Sequence, residues 1–135
     1  MKKIFLFLFF TYGFIATATD DNPIPWNNIN DGIQKAIQEG NASALAAYFA
    51  PTIELSLPSK KGEVSKIQAE ILMKDFFSTY PPVSFEVMSE GKATSNSYYV
   101  LGKYKSKTTT FSVYYIIEKR NETIELHILK FEPLS

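Results

Sequence analysis

The stretch SKIQAEILMKDFFSTYPPVSFEV, residues 65–87, contains a helix, its abrupt end and the beginning of a sheet. Ser65 is followed three residues later by Gln68, and this spacing predicts a helix start because each side chain can satisfy a backbone N–H that helix geometry leaves free. Pro81 and Pro82 then prevent the helix from continuing. Beyond them apolar and polar residues alternate with period two, which indicates a strand.

One face of this predicted helix is apolar, with the repeat expected for a helix that packs on a core. The repeating residues are Ala69, Leu72, Met73, Phe76, Phe77 and Tyr80. Lys66, Glu70 and Lys74 follow each other at four-residue spacing, which is typical of ion pairs on a solvated face. Asp75 belongs to the same polar side. We therefore expect Leu72 and Phe76 to face a sheet and Glu70 to face solvent.

Two shorter helices are predicted upstream. The first repeats apolar residues at helical spacing, at Ile29, Ile33, Ala36 and Ile37. Asn27, Asn28 or Asn30 can cap its start, because a short polar side chain accepts an orphan N–H. Gly40 ends it, since glycine tolerates the left-handed conformation found there.

Asn41 is expected to cap the second helix, and Pro51 to end it. Leu45, Tyr48 and Phe49 share one face of it. The alternating segment Thr52–Leu57 then predicts a strand, and residues 58–62 a basic turn.

Four further strands are predicted after Pro82, with turns at Asn96, Ser106-Lys107 and Arg120-Asn121. They are Val83–Val87, Tyr98–Lys105, Phe111–Lys119 and Ile124–Phe131. Helices followed by a run of strands predict an α+β domain, with N-terminal helices packed on one face of a mainly antiparallel sheet.

The first 18 residues, MKKIFLFLFFTYGFIATA, are typical of a secretory signal peptide. Two lysines precede an apolar run that is shorter than the ~20 residues of a membrane span, and Ala16-Thr17-Ala18 provides a cleavage site. The prediction is a signal peptide at 1–18, an N-terminal arm at 19–27 and a single α+β domain at 28–133. We expect the mature protein to be exported, periplasmic or extracellular, and soluble, with no membrane span after cleavage.

Charge and cysteine content narrow the function classes. Removing the two leader lysines from the 14 basic residues leaves 12 against 14 acidic residues, a formal charge of −2. Such a weak field does not favour a nucleic-acid partner. The chain has no cysteine, so no disulfide supports the exported fold. One histidine and scattered carboxylates predict no metal site, and no motif predicts a cofactor.

Three segments carry a family resemblance: GNASALAAYFAPTIEL at 40–55, the stretch at 65–87, and LHILKFEP at 126–133. The chain resembles, over roughly residues 28–132, a bacterial family of exported proteins called domain of unknown function 4783. That family is similar to the nuclear transport factor 2-like, cystatin-like fold. The resemblance implies a cone in which a curved sheet wraps a long helix and leaves a pocket between them. It implies no catalytic residues.

Two residues are candidates for catalysis. His127 is the only histidine and a possible general base. Alternation in the last predicted strand places His127 on the same face as Glu125, Leu129 and Phe131, and this face can look into the cone. The opposite face carries Ile124, Leu126 and Ile128. The alternative is a packed or edge-of-sheet histidine. Glu54 is predicted on the polar face of an edge strand, where a charge also discourages edge pairing.

Tyrosines on both faces of the hairpin suggest a binding surface. Alternation sends Tyr98 and Tyr104 one way and Tyr99 the other, and it separates Tyr114 from Tyr115. One set packs on the helices, and the other can line an open contact face, although tyrosine is also favoured in strands generally. The candidate binding residues are Tyr48, Tyr98, Tyr114 and His127.

Two functions follow. The first is an exported non-catalytic module that binds a small ligand or a protein partner, including a homodimer formed through the outer face of the sheet. In a competing explanation of that apolar face, the arm covers it with Ile24 and Trp26. The alternative function is a small isomerase- or dehydratase-type enzyme that uses His127 and a carboxylate in the cone pocket.

The leader generates the first testable prediction. The mature protein should begin at Thr19 or within a few residues of it, because the small residues Ala16 and Ala18 stand where signal peptidase reads. N-terminal sequencing of the exported protein measures this. An intact Met1 in the membrane fraction would contradict it.

Overall fold

The computed structural model describes residues 24–134, so the predicted leader and residues 19–23 of the predicted arm lie outside the described range. Within it, no helix is both long and apolar enough to cross a membrane. Three helices and six strands follow one another along the chain. They are α1 (Trp26–Glu39), α2 (Ala42–Ala46), β1 (Phe49–Leu57), β2 (Lys60–Ser65), α3 (Lys66–Thr79), β3 (Ser84–Thr94), β4 (Ser97–Lys105), β5 (Thr110–Arg120) and β6 (Thr123–Pro133).

The six strands form one curved sheet in the order β2-β1-β6-β5-β4-β3. Every neighbouring pair is antiparallel except β1 and β6, which are parallel. Bulges at Met88 and Ala93 in β3 and at His127 in β6 each add one residue, and such bulges bend and twist a sheet. The predicted α+β class, with helices on a mainly antiparallel sheet, is confirmed.

The core lies between the helices and the inner face of the sheet. In β5 every second residue is buried, and these residues are Phe111, Val113, Tyr115 and Ile117. An aromatic cluster closes one end of the core around Phe76, whose ring centroid lies 4.6 Å from that of Phe131 and 5.1 Å from that of Phe111. The Tyr104 hydroxyl reaches the cluster and donates to the backbone carbonyl of Tyr80. Side chains of both layers thus fill this end of the fold.

The predicted third helix is confirmed as α3. The Ser65 hydroxyl accepts a hydrogen bond from the Gln68 backbone N–H at 3.1 Å, which is one half of the predicted capping box. The reciprocal bond from Ser65 N–H to the Gln68 side chain is absent among the described residues. Ala69, Met73, Phe76 and Phe77 are buried, and Leu72 and Tyr80 pack half-buried against the same core. Glu70 is half-buried rather than fully exposed. The helix ends before Pro81, as predicted.

The start of α1 differs from the prediction, because no asparagine caps it. The helix begins at Trp26, with Pro25 at the N-cap position and no side-chain hydrogen bond there. Its end at Gly40, in the left-handed conformation, is as predicted. Trp26 is buried against Tyr98, so burial of an aromatic ring fixes the start of the helix in place of a capping bond.

The end of α2 also differs from the prediction. The helix finishes at Ala46, and the chain is already in β1 at Phe49, so Pro51 does not end a helix. Pro51 lies where the register between β1 and β6 shifts, between Phe49 and Glu54. Proline has no N–H to donate, and such irregular positions are where a strand tolerates it.

The basic turn predicted at residues 58–62 is confined to residues 58–59, and strand β2 begins at Lys60. Its sequence KKGEVS does not indicate a strand, because it is charged and contains glycine rather than alternating apolar residues. Only Val64 of β2 is buried, as suits an edge strand that charges protect from further pairing. Because β2 pairs with β1 on the side away from β6, β1 is not an edge strand. The prediction that Glu54 lies on an edge strand is therefore wrong. Strand β3 also continues to Thr94, well past the predicted end at Val87.

Phe76 generates the second prediction. Replacing it with alanine should lower the free energy of unfolding by about 3–5 kcal/mol, because a large ring is removed from a packed aromatic cluster. The neighbouring Asp75→Ala, at an exposed position, should change it by less than about 0.5 kcal/mol. Denaturant titration measures both. Equal effects would show that α3 is rotated from this orientation.

Candidate functional site

A polar network lies at the end of the inner face opposite the aromatic cluster. The buried Asn30 of α1 accepts a hydrogen bond from the Tyr115 hydroxyl and donates one to Glu90 Oε1 at 2.9 Å. The Tyr98 hydroxyl donates to the same carboxylate oxygen at 2.8 Å. Glu90 therefore accepts hydrogen bonds from side chains of α1 and β4 on a single oxygen, and its second oxygen has no hydrogen-bond partner among residues 24–134.

Tyrosine ionisation is suppressed in this network. Burial, and then the hydrogen bond to Glu90, raise the pKa of Tyr98 to about 12. Burial also raises the pKa of Tyr115, and the charge of Glu90 adds to this effect. Both phenols are thus neutral donors at physiological pH, which is the form that the acceptors Asn30 and Glu90 require.

Trp26 and Tyr98 stack at the mouth of the cone, with ring centroids 5.7 Å apart. A shallow hollow of about 330 Å³ lies beside them. It is lined by Ile24, Pro25, Trp26, Asn27, Asn28, Lys92 and Tyr98. Because Trp26 is 7% exposed, its ring serves mainly to close the mouth rather than to present a surface to a ligand.

The position of His127 corrects the sequence-based prediction. His127 is the extra residue of the β6 bulge, since Ile116 pairs with Ile128 while Ile117 pairs with Leu126. A bulge turns two successive side chains to one side, so His127 and Ile128 share the outer face. Leu129 and Phe131 then point into the core together with Ile124 and Leu126. His127 therefore looks away from the cone.

His127 lies in a small outer cleft of about 220 Å³. The cleft is lined by Thr52, Glu54, Glu63, Glu118, Arg120, His127 and Ile128. Within the described residues, the His127 Nε2 atom is buried and has no hydrogen-bond partner. Burial of the ring and then the positive charge of Arg120 lower the pKa of His127.

Two of the three carboxylates that line this cleft are held in ion pairs. Glu118 pairs with Arg120 at 2.8 Å, and Glu54 pairs with Lys130 at 3.3 Å. A general-base histidine needs a carboxylate or carbonyl on its second nitrogen to fix its tautomer. Among the described side chains, none of Glu54, Glu63 and Glu118 hydrogen-bonds to the ring, so no histidine–carboxylate pair is formed among the described residues of the cleft.

The four predicted binding residues do not come together. Tyr48 packs on α1 at Gly32, where a Cβ atom would lie 1.9 Å from the Tyr48 hydroxyl oxygen. Tyr98 faces inward at the mouth of the cone, whereas Tyr114 and His127 face outward. The predicted separation of Tyr98 from Tyr99 and of Tyr114 from Tyr115 is therefore correct, and it divides the proposed set.

The outer face of the sheet carries a group of large apolar side chains, here named the outer apolar patch. It consists of Tyr99, Leu101, Tyr114, Ile116 and Ile128. These residues are neighbours across β4, β5 and β6, since Tyr99 pairs with Ile116 and Leu101 with Tyr114. Leu101 is 38% exposed, and the other four are partly exposed. Alternation alone identifies every member, since Ile128 alternates with the inward-facing Leu129. What alternation places wrongly are the residues before the bulge and His127 itself.

The described part of the predicted arm does not cover this patch. Trp26 stacks on the inward-facing Tyr98, and Ile24 packs against the core beside it. Both residues therefore lie on the inner side of the sheet, and the explanation that placed them over the outer face is wrong.

The network at the mouth generates the third prediction. Asn30→Ala should lower the free energy of unfolding by about 1–3 kcal/mol, because it leaves the buried Tyr115 hydroxyl without a partner. Asn28→Ala, at an exposed position of the same helix, should change it by less than about 0.5 kcal/mol. Thermal unfolding of both variants measures the difference. An Asn30→Ala variant with an unchanged free energy of unfolding would contradict the network.

Comparison with known proteins gives the family. Solved structures of DUF4783 family proteins from Bacteroides uniformis and Bacteroides ovatus are 27% and 22% identical to this chain, with TM-scores of 0.75 and 0.73. The match to the first protein covers 80% of this chain and 99% of that protein, and the match to the second covers 84% of this chain and 97% of that protein.

A Streptomyces avermitilis protein described as belonging to the NTF2-like family shares the fold, with 9% identity, a TM-score of 0.60, and coverage of 82% of this chain and 94% of that one. No curated protein matches the sequence. The family model described as a domain of unknown function, DUF4783, matches residues 30–132. The chain therefore belongs to the DUF4783 family, as its resemblance to that family predicted.

Proposed function

We propose that this protein is an exported, non-catalytic module that binds a protein partner through the outer apolar patch, and that the partner is a second copy of the chain. The observation that carries the proposal is the contrast between the two faces of the sheet. The described helices pack on the inner face, whereas Leu101, Tyr114 and Ile116 project from the outer one. Tyrosine and large aliphatic residues grouped on a surface are typical of interfaces.

The contents of the cone support binding at the outer face over binding inside. The aromatic cluster around Phe76 occupies one end of the inner face, and the Asn30–Glu90 network closes the other. Fully buried side chains from the sheet, among them Tyr115 and Leu129, lie between them. A small ligand would have to displace these side chains, and packed cores resist such change.

The position of His127 weighs against the isomerase or dehydratase alternative. That mechanism needs a histidine and a carboxylate converging inside the cone. His127 lies on the opposite face of the sheet, and two of its three carboxylate neighbours, Glu54 and Glu118, are bound to Lys130 and Arg120. Export is supported by the leader at residues 1–18, whose lysines, apolar run and small residues match a signal peptide.

A second copy is the partner that best suits this patch. The patch lies across the three strands β4, β5 and β6, so two sheets can pack face to face over it. Pairing by two-fold symmetry covers one patch with its own copy and closes the assembly. The weak formal charge of −2 on the mature chain imposes little net repulsion between two copies.

The fourth prediction tests the patch. The mature protein should sediment as a dimer at micromolar concentration. Leu101→Thr combined with Tyr114→Thr should raise the dimer dissociation constant by about tenfold or more, because apolar contact area is lost from both copies. Threonine retains strand propensity, so the sheet should remain folded.

A matched control is available on α3, where Ile67 and Ile71 are 75% and 62% exposed. Replacing both of them with threonine should leave the dissociation constant unchanged. Sedimentation velocity measures the association, and circular dichroism checks the fold. A mature protein that sediments as a monomer at every concentration tested would refute the proposal.

A further inference from the structure

Charged residues gather at two opposite corners of the outer face, and those that lie elsewhere on it include Lys130, which pairs with Glu54, and Lys61, which pairs with Glu132. One corner, here named the acidic corner, consists of Glu54, Glu63, Glu118 and Glu125. The other, here named the lysine corner, consists of Lys103 and Lys105 near the end of β4. The outer apolar patch lies between them, because Ile128 adjoins Glu54 and Leu101 adjoins Lys103.

The acidic corner contains two cross-strand pairs of like charge. Glu54 lies opposite Glu63 in the β1–β2 ladder, and Glu118 lies opposite Glu125 in the β5–β6 ladder. Like charges directly opposite each other destabilise a sheet. Lys130 and Arg120 offset Glu54 and Glu118, but within residues 24–134 neither Glu63 nor Glu125 forms an ion pair. The corner thus carries excess negative charge that the chain itself does not neutralise.

The lysine corner carries excess positive charge. On β5 the partners of Lys103 and Lys105 are Ser112 and Thr110, which are uncharged. On the other side Glu86 lies opposite Lys103, yet the described ion pairs include neither lysine. The ammonium groups of Lys103 and Lys105 are therefore available at this end of the outer face to pair with carboxylates of another molecule.

We infer that the two-fold axis of the dimer crosses the outer apolar patch obliquely, so that the acidic corner of each copy lies over the lysine corner of the other. This inference rests on the proposed function, since it assigns an orientation to the same interface. The symmetry makes the contact twice, once at each end of the interface. The opposite orientation would bring Glu63 and Glu125 against their own copies, and juxtaposed like charges select against a wrong arrangement.

The sheet geometry allows such a crossing. The acidic corner adjoins the C-terminal end of β5, and the lysine corner adjoins its N-terminal end one strand away. A two-fold axis perpendicular to the line between the corners places each corner of one copy over the other kind of corner in its partner. The centre of the patch, near Tyr114 and Ile116, then contacts the same residues of the partner. Packing of two sheets with strands at a large angle is one of the two arrangements that sheets commonly adopt.

Charge reversal at each corner tests the orientation. Glu63→Lys with Glu125→Lys makes both corners basic, and Lys103→Glu with Lys105→Glu makes both acidic. Each double variant of the mature protein should raise the dimer dissociation constant by about tenfold or more at low salt. A chain with all four substitutions should return to within about threefold of the original value, because its corners are again complementary.

Monomer stability separates this role from a structural one. Glu63→Lys with Glu125→Lys removes two like-charge pairs within the sheet, so the melting temperature of the monomer should not fall while dimerisation weakens. For the original dimer, raising sodium chloride from about 0.05 M to about 0.5 M should also weaken association, since added ions screen the attraction.

Matched controls lie on α3, away from the patch. Glu70→Lys with Asp75→Lys and Lys66→Glu with Lys74→Glu change the net charge by the same amounts and should leave the dissociation constant unchanged. If a dimer forms and is lost in Leu101→Thr with Tyr114→Thr, but no corner variant affects it, the orientation is wrong and the interface stands. A protein that stays monomeric at every salt concentration would refute the proposed function and this inference together.

Discussion

A single constraint governs this fold: the inner face of the sheet must stay apolar on both sides of the bulge at His127. Before the bulge Ile124 and Leu126 point inward, and after it Leu129 and Phe131 do so. Without the extra residue, period-two alternation would turn one of these pairs to solvent and leave the core incomplete. The bulge therefore joins two correctly facing halves of β6. Its consequence is that the only histidine of the chain points outward.

The same division between faces underlies the proposed binding of a partner at the outer face. Large side chains from the helices and the sheet fill the concave side of the sheet, with Phe76 at one end and Asn30 at the other. The concave side therefore stabilises the fold. The convex side has no such covering among the described elements, and the outer apolar patch lies across its central strands. A cone that is filled rather than open favours recognition on its outside surface, where apolar residues and charges are arranged in separate zones.

The polar groups inside the cone satisfy one another's hydrogen bonds and in this way stabilise the fold. Asn30 is buried in an otherwise apolar helix face, and such a position is favourable only because Tyr115 and Glu90 satisfy its amide. The network ties α1 to β3, β4 and β5 and sets the rotation of that helix over the sheet. On the outer face, by contrast, one carboxylate of each like-charge pair in the acidic corner, Glu63 or Glu125, forms no ion pair within the described chain. A surface that retains such pairs is suited to a positively charged neighbour.

The sequence by itself determined the α+β class, α3 with its cap and apolar face, and four of the six strands nearly in place, because these depend on local periodicity and on proline and glycine. It also separated the tyrosines of β4 and β5 correctly. Only the tertiary structure decided the edge strand β2, the start of α1 at Trp26 and the outward position of His127. A charged edge strand forms through pairing with β1, a ring is buried only against a distant partner such as Tyr98, and a bulge breaks the alternation from which the facing of a strand is inferred. Those three features depend on strand pairing and on burial against other elements, which the pattern of apolar and polar residues within one segment does not contain.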